Sequence, residues 1–161
     1  MATPMLASKL TIEPGGSDDL GAVMAVMEAA FGNRFGEAWT RSQCAGILPM
    51  SGVSLMLARL LPDGAVGGFT LARTVADEAE LLLIAVAPDH HRQGIGTALL
   101  DDFVGRAKSA GATRVHLEVR DGNDATAMYR AAEFAAVGRR GNYYRAADGR
   151  RFDAVTFART V

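Results

Sequence analysis

The sequence predicts a mixed α/β fold, an α+β arrangement in which one mixed sheet has helices packed on it. Three observations carry this. Strand-like segments come in runs as well as alternating with helices, in the order β, helices, β, β, β, helix, β, helix, β, β. Glu80 to Ala87 (ELLLIAVA) is a near-continuous apolar strand, which predicts burial on both faces. Arg114 to Arg120 (RVHLEVR) alternates instead, with Val115, Leu117 and Val119 pointing one way and His116 and Glu118 the other.

The elements follow in order. Thr11-Ile12 opens a short strand. Ser17-Asp18-Asp19 caps a helix over about Leu20 to Phe31, whose Leu20, Val23, Met24, Met27 and Ala30 form an apolar stripe. Phe31 to Trp39 is irregular. A short helix near Thr40 to Ile47 is stopped by Pro49. Ser54 to Leu61 and Ala65 to Thr74 read as strands joined by the turn Pro62-Asp63-Gly64. A helix over about Gly94 to Ala110 repeats Ile95, Leu99, Phe103 and Ala107 on one face, and Gly111 supplies its stop. Asp121-Gly122-Asn123 is a turn and N-cap signal before a helix from about Asp124 to Ala132. Two further strands lie near Ala136 to Tyr143 and Phe152 to Arg159.

Composition narrows the function. A chain of 161 residues, 49% hydrophobic and 22% charged, fits one ordered domain over residues 1–161. With 17 Lys+Arg against 18 Asp+Glu, no basic excess exists to coat nucleic acid. The charge is divided, however. Residues 1–91 hold 5 Lys+Arg against 10 Asp+Glu, and residues 92–161 hold 12 against 8. Cys44 is alone, which excludes an internal disulfide and a thiolate metal cluster, and it reads as a buried helix cysteine. His90, His91 and His116 have no metal-ligand spacing, so no metal is expected. Met1 to Leu10 lacks a signal-peptide pattern, and the longest apolar run, Leu81 to Pro88, is far short of the ~18–20 residues that span a bilayer. The expectation is a cytoplasmic protein, a monomer or weak homodimer, with no membrane and no direct nucleic-acid partner.

The most informative segment is Val86-Ala87-Pro88-Asp89-His90-His91-Arg92-Gln93-Gly94-Ile95-Gly96-Thr97, which joins the apolar strand to the amphipathic helix. Gly94 and Gly96 permit close approach of a ligand to the backbone. The first-turn amides of the helix have no intrahelical partners, and Arg92 adds a positive charge. Together these features suit a phosphate, although Gly-x-Gly before a helix can also be a plain tight turn. A Rossmann site fits poorly because its third small residue would fall at Leu99, and no Walker sequence exists.

IAVAPDHHRQGIGTALL resembles the coenzyme-A loop of the GNAT-type N-acetyltransferases, which carry Gln/Arg-x-x-Gly-x-Gly/Ala after a buried strand. Here that pattern is His91-Arg92-Gln93-Gly94-Ile95-Gly96, with His at the first position. LEVRDGNDATAMYRAAEF resembles the same family's strand, Asn, and Tyr-containing helix ending in Phe. The resemblance implies a GNAT acyl-CoA N-acyltransferase fold, with a central sheet splayed at the coenzyme and helices on both faces. It implies acetyl-CoA as cosubstrate, its pyrophosphate cradled by His91, Arg92, Gln93, Gly94, Ile95, Gly96 and Thr97. The pantetheine arm would pair with the backbone of Ile84, Ala85 and Val86, and Asn123 would also meet the coenzyme. Asn123 to Tyr129 is one residue shorter than the family spacing.

Three segments are similar to one branch, the RimI-type ribosomal-protein alanine N-acetyltransferases. Phe35-Gly36-Glu37-Ala38-Trp39-Thr40 resembles the branch's Pro-Trp-Ser/Thr segment, with Ala38 replacing the proline. Leu117-Glu118-Val119-Arg120 matches its Leu-Glu-Val-Arg. Arg139 to Tyr144, Asp148-Gly149-Arg150 and Asp153-Ala154 resemble its tail, with one inserted residue. The likeness runs from about Phe31 onward.

Acyl transfer to an amine needs a proton acceptor for the amine and an acid for the leaving thiolate. The resemblance assigns Glu118 as base and Tyr129 as acid. Both have plainer readings: Glu118 could pair with Arg120 or Arg92, and Tyr129 could be a packed helix aromatic. Glu80, at the head of the apolar strand, is an alternative base. Trp39, Tyr143 and Tyr144 are candidate walls of the substrate groove or packing residues. An α-amine, with pKa ~7.7–8.0 against ~10.4 for lysine, is neutral far more often at pH 7. That favours a protein N-terminus over a lysine as acceptor, and the resemblance implies the N-terminal alanine of a small-subunit ribosomal protein. The acidic half is left free to attract a basic peptide. A small amine such as an antibiotic or polyamine, and a non-catalytic acyl-CoA-binding module, are the competing readings.

Overall fold

A computed structural model describes residues 9–161. Most of the Met1 to Leu10 segment read for a targeting signal therefore lies outside the described residues. Among those described, no helix is long and apolar enough to cross a membrane. The strands are β1 (Leu10–Pro14), β2 (Val53–Leu60), β3 (Ala65–Val75), β4 (Glu78–Val86), β5 (Arg114–Arg120), β6 (Ala135–Arg145) and β7 (Arg151–Thr160). The α-helices are α1 (Leu20–Ala30), α2 (Arg41–Ile47), α3 (Ile95–Ser109) and α4 (Thr126–Ala131). The strands form one seven-stranded sheet in the order β1-β2-β3-β4-β5-β7-β6. Among the described residues only β4 and β5 pair in parallel.

Both helix faces follow from the side-chain pattern. Leu20, Val23, Val26 and Met27 of α1, with Cys44 of α2, bury one face of β2, β3 and β4 against Leu55, Leu57, Phe69, Leu71, Leu83 and Ala85. Burial pushes the Cys44 thiol pKa up. On the other face, Leu100, Phe103, Val104 and Ala107 of α3 meet Leu81, Val115, Leu117, Phe157 and Tyr129. Ile95 and Leu99 meet Ala58 beside them.

Two expectations need correction. Asp19 does not cap α1 with its side chain; Ser17–Asp19 form a 3-10 turn, and the Asp19 carboxylate accepts the Gly16 N–H at 2.9 Å. Nor is β4 buried on both faces along its length: Ala79 and Leu81 are buried on the α3 side and Leu83 and Ala85 on the α1–α2 side, while Leu82, Ile84 and Val86 are half-buried. The cause is a bulge. Leu71 pairs with Leu83 and Ala72 with Leu81, which leaves Leu82 as the extra residue and turns the strand's faces over. The β4–β5 pairing runs from Glu78↔Arg114 to Leu81↔Leu117, while β5 pairs with β7 as far as Arg120↔Ala154. Beyond Leu81 the two strands therefore part, and the sheet splays there.

Candidate active site

The first residue of β5 past the last β4 pair is Glu118. Its alternation with Leu117 and Val119 turns it away from the α3 face. On that polar face the register sets Glu118 opposite Thr156 of β7, and Thr156 opposite Gly138 of β6. Arg120, Ala154 and Arg140 form the next row. Glu118 is only 18% exposed at its side chain, and its Oε2 lies 3.0 Å from the Arg140 Nε. Its ionic partner is thus Arg140, rather than Arg120 or Arg92. Glu80 lies in the paired region, facing His116 at 3.9 Å and more exposed than Glu118.

Tyr129 comes from the opposite face, on α4. The helix turns it into the core, where its ring packs near Phe134 and Phe157 at 6.4 and 6.1 Å. It is 4% exposed. Burial first, then the charges of Glu37 and the nearby Tyr144 hydroxyl, push its phenol well above the ordinary range. Tyr144 is raised in the same sense by burial, Glu118, Glu37 and Tyr143, with Arg120 opposing. The charge of Glu37 thus reaches both phenols, and that of Glu118 reaches Tyr144.

Glu37 is the residue that sequence reasoning missed. The irregular segment after α1 carries it. Phe35 meets Phe152 of β7 edge-on at 5.4 Å. Gly36 has φ +74°, and a Cβ at this position would lie 2.1 Å from the Arg145 carbonyl oxygen, so only glycine lets the backbones meet. Glu37 then accepts a hydrogen bond from the Asn123 side-chain amide at 2.7 Å and pairs with Arg120 at 3.2 Å. The Arg120 Nε is within ionic reach of Glu37 but lies off hydrogen-bond alignment. Its guanidinium is held instead by the Phe35 ring at 3.8 Å, the Phe152 ring at 5.5 Å and the Asp121 carbonyl at 3.3 Å. The one sequence signal was a lone carboxylate inside an aromatic, glycine-bearing stretch with no helical or strand period.

At the far end of β4, Pro88–His90 form a 3-10 turn and the His91 ring donates from Nε2 to the Val86 carbonyl at 2.9 Å. Arg92 (φ +63°) and Gly94 (φ +80°) adopt left-handed backbone, and α3 begins at Ile95. The unpartnered first-turn amides of α3, from Ile95, Gly96 and Thr97, lie beside the open end of β4. Gly96 is also a packing position, since a Cβ there would lie 3.1 Å from the Met128 sulfur of α4. Asn123, bonded to Glu37, also accepts the Ala125 N–H on its side-chain carbonyl at 2.8 Å. Trp39 is half-buried against the α1–α2 core, whereas Tyr143 is exposed and meets Tyr144 edge-on at 5.0 Å.

Residues 22–134 match the Acetyltransferase (GNAT) family. The chain belongs to the GNAT family. It is an N-acetyltransferase, and enzymes of this family use acetyl-CoA. It is 40% identical over 101 residues to the ribosomal protein bS18-alanine N-acetyltransferase of Escherichia coli, covering 62% of this chain and 68% of that protein. With the Salmonella typhimurium enzyme of the same name it shares 34% over 130 residues, 75% and 87% of the two chains. The crystal structure of the ribosomal-protein-S18-alanine N-acetyltransferase from Escherichia coli superposes with a TM-score of 0.83 at 31% identity, covering 94% of each chain. The GNAT sheet extends through β6 and β7, beyond the matched family segment, on the strength of that superposition.

Proposed function

We propose that residues 1–161 act as one domain that transfers the acetyl group of acetyl-CoA to a protein N-terminal α-amine, the N-terminal alanine of a ribosomal protein being the substrate. The carrying observation is the splay itself. Strand β4 keeps an edge unpaired with β5 after Leu81, the phosphate-suited loop follows one end of that edge, and Glu118, the first β5 residue past the last pair, lies at the other. The names of the most similar relatives support the choice of amine.

In this reading the backbone of Ile84, Ala85 and Val86 pairs with the pantetheine arm as a missing strand would. The loop from His91 to Thr97 receives the pyrophosphate. Asn123 offers the coenzyme its second amide proton, the first being given to Glu37. The amine nitrogen attacks the thioester carbonyl carbon, forming the N–C bond and then expelling the thiolate as the C–S bond breaks. Glu118 takes the amine proton, and the Tyr129 hydroxyl gives its proton to the sulfur. A phenol raised by burial is fully protonated at neutral pH, as a donor must be. Tyr143 and Tyr144 line the entry for the peptide, and Trp39 backs the segment that carries Glu37.

The test is product formation by mass spectrometry. A basic peptide starting with alanine should be acetylated on its α-amine and far outpace free polyamine and aminoglycoside substrates. Preferential acetylation of a free amine, or of lysine in an N-terminally blocked peptide, would overturn the proposal.

A further inference from the structure

We propose that Arg140 is a placeholder for the substrate's ammonium group: its guanidinium holds the Glu118 carboxylate until the incoming amine displaces it. Arg140 thereby becomes a selectivity residue of the amine subsite. The inference rests on the proposed role of Glu118 as proton acceptor.

Two arginines approach the Glu37 and Glu118 carboxylates on the same face of the sheet, and they are held very differently. Arg120 is 8% exposed and wedged between Phe35, Phe152, Glu37 and the Asp121 carbonyl. Arg140 is 64% exposed, and its contact with Glu118 is one Nε–Oε2 approach of 3.0 Å. An ion pair with one partner largely in water is weak. Its neighbour Arg139 is tied to both Asp121 and Asp153, at 2.9 and 2.7 Å. Arg140 thus has the freedom that the arginines around it lack.

The backbone gives that freedom a direction. Between Arg140↔Ala154 and Tyr144↔Phe152 strand β6 bulges, with Asn142 at φ +54° and its N–H bonded to the Asp153 carboxylate at 2.9 Å. Gly138, on the row of Glu118, contributes no side chain, so the Arg140 side chain can lie back across it to Glu118. The guanidinium also stands 5.1 Å from the Tyr143 ring centre, a second seat on the exposed side. A guanidinium keeps its protons at any working pH, so Arg140 occupies the Glu118 Oε2 position without supplying a proton to it. A substrate ammonium brings the same charge and a proton it can give up. Exchange of one cation for the other both frees Glu118 and seats the amine beside it.

Steady-state kinetics with the alanine-starting peptide at saturating acetyl-CoA and constant ionic strength test this. For Arg140→Ala the peptide kcat/KM should rise at least about three-fold, carried by KM, the scale of a half-exposed ion pair. Millimolar methylguanidinium should compete with the peptide on Arg140→Ala and push its KM back towards the wild-type value. It should affect the wild type little, because the seat is already filled. Acetyl-CoA binding by calorimetry confirms that the variant folds. A KM equal to or above wild type, or no competition by methylguanidinium, overturns the inference alone. A wild-type enzyme that leaves the peptide unmodified overturns the substrate reading, and the inference with it.

Discussion

The two halves of the sheet are packed to different ends. Strands β1 to β4 form an antiparallel run covered by α1 and α2 on one face and by α3 on the other, with Leu57, Phe69 and Leu99 wholly buried. Strands β5 to β7 bury Val115, Leu117, Val119 and Phe157 on the α3 side and little more than Ala154, Ala158 and Arg120 on the other. Their other face carries Glu118, Arg120, Thr156 and Arg140, and β6 is exposed along almost its whole length. The halves are joined by four parallel pairs, Glu78↔Arg114 to Leu81↔Leu117, and part beyond them. Apolar burial therefore covers both faces of one half and chiefly one face of the other, and the polar groups collect on the face left uncovered.

Perturbations on the two sides should separate stability from turnover. The largest effect is expected from Leu99→Ala, which removes a fully buried side chain from the α3–sheet contact. It should cost about 3–5 kcal/mol of unfolding free energy in denaturant titration, in the range of buried Leu→Ala substitutions. Tyr129→Phe should do the opposite. Because the ring is kept, the unfolding free energy should change little, while kcat falls about 100-fold as a proton donor is lost. Acetyl-CoA affinity by calorimetry should hold. Above the ordinary phenol range the unfolded chain ionises before the buried Tyr129 does, so the contribution of this group to stability is lost as pH rises. Gly36→Ala sits between the halves. The left-handed backbone and the close approach to Arg145 should make it cost about 2 kcal/mol. By loosening Glu37 it should also lower turnover on the peptide, measured in the same preparation.

What the sequence made legible follows the same division. The run from Glu80 to Ala110 reads clearly because apolar strand, glycine loop and four-residue helical repeat are all local patterns. Val26 was missing from the α1 stripe, although three residues after Val23 it lies on the same buried face. The bulge at Leu82 has no glycine to announce it, so β4 looked buried on both faces. Glu118 and Tyr129 stood out by position and by family resemblance. Glu37 did not, because Gly36, Phe35 and Phe152 bring it 86 residues along the chain to Asn123. The partner of Glu118 was equally hidden, since the register of β6 on β7 brings Arg140 to it from a strand that does not pair with β5.

The parting of β4 and β5 is the proposed coenzyme site. Amide hydrogen exchange with and without acetyl-CoA tests it most directly. Protection should rise within Leu82 to Val86 and within Arg92 to Thr97, with β1 and β2 unchanged. Protection confined to other strands, with these two segments unaffected, would contradict it.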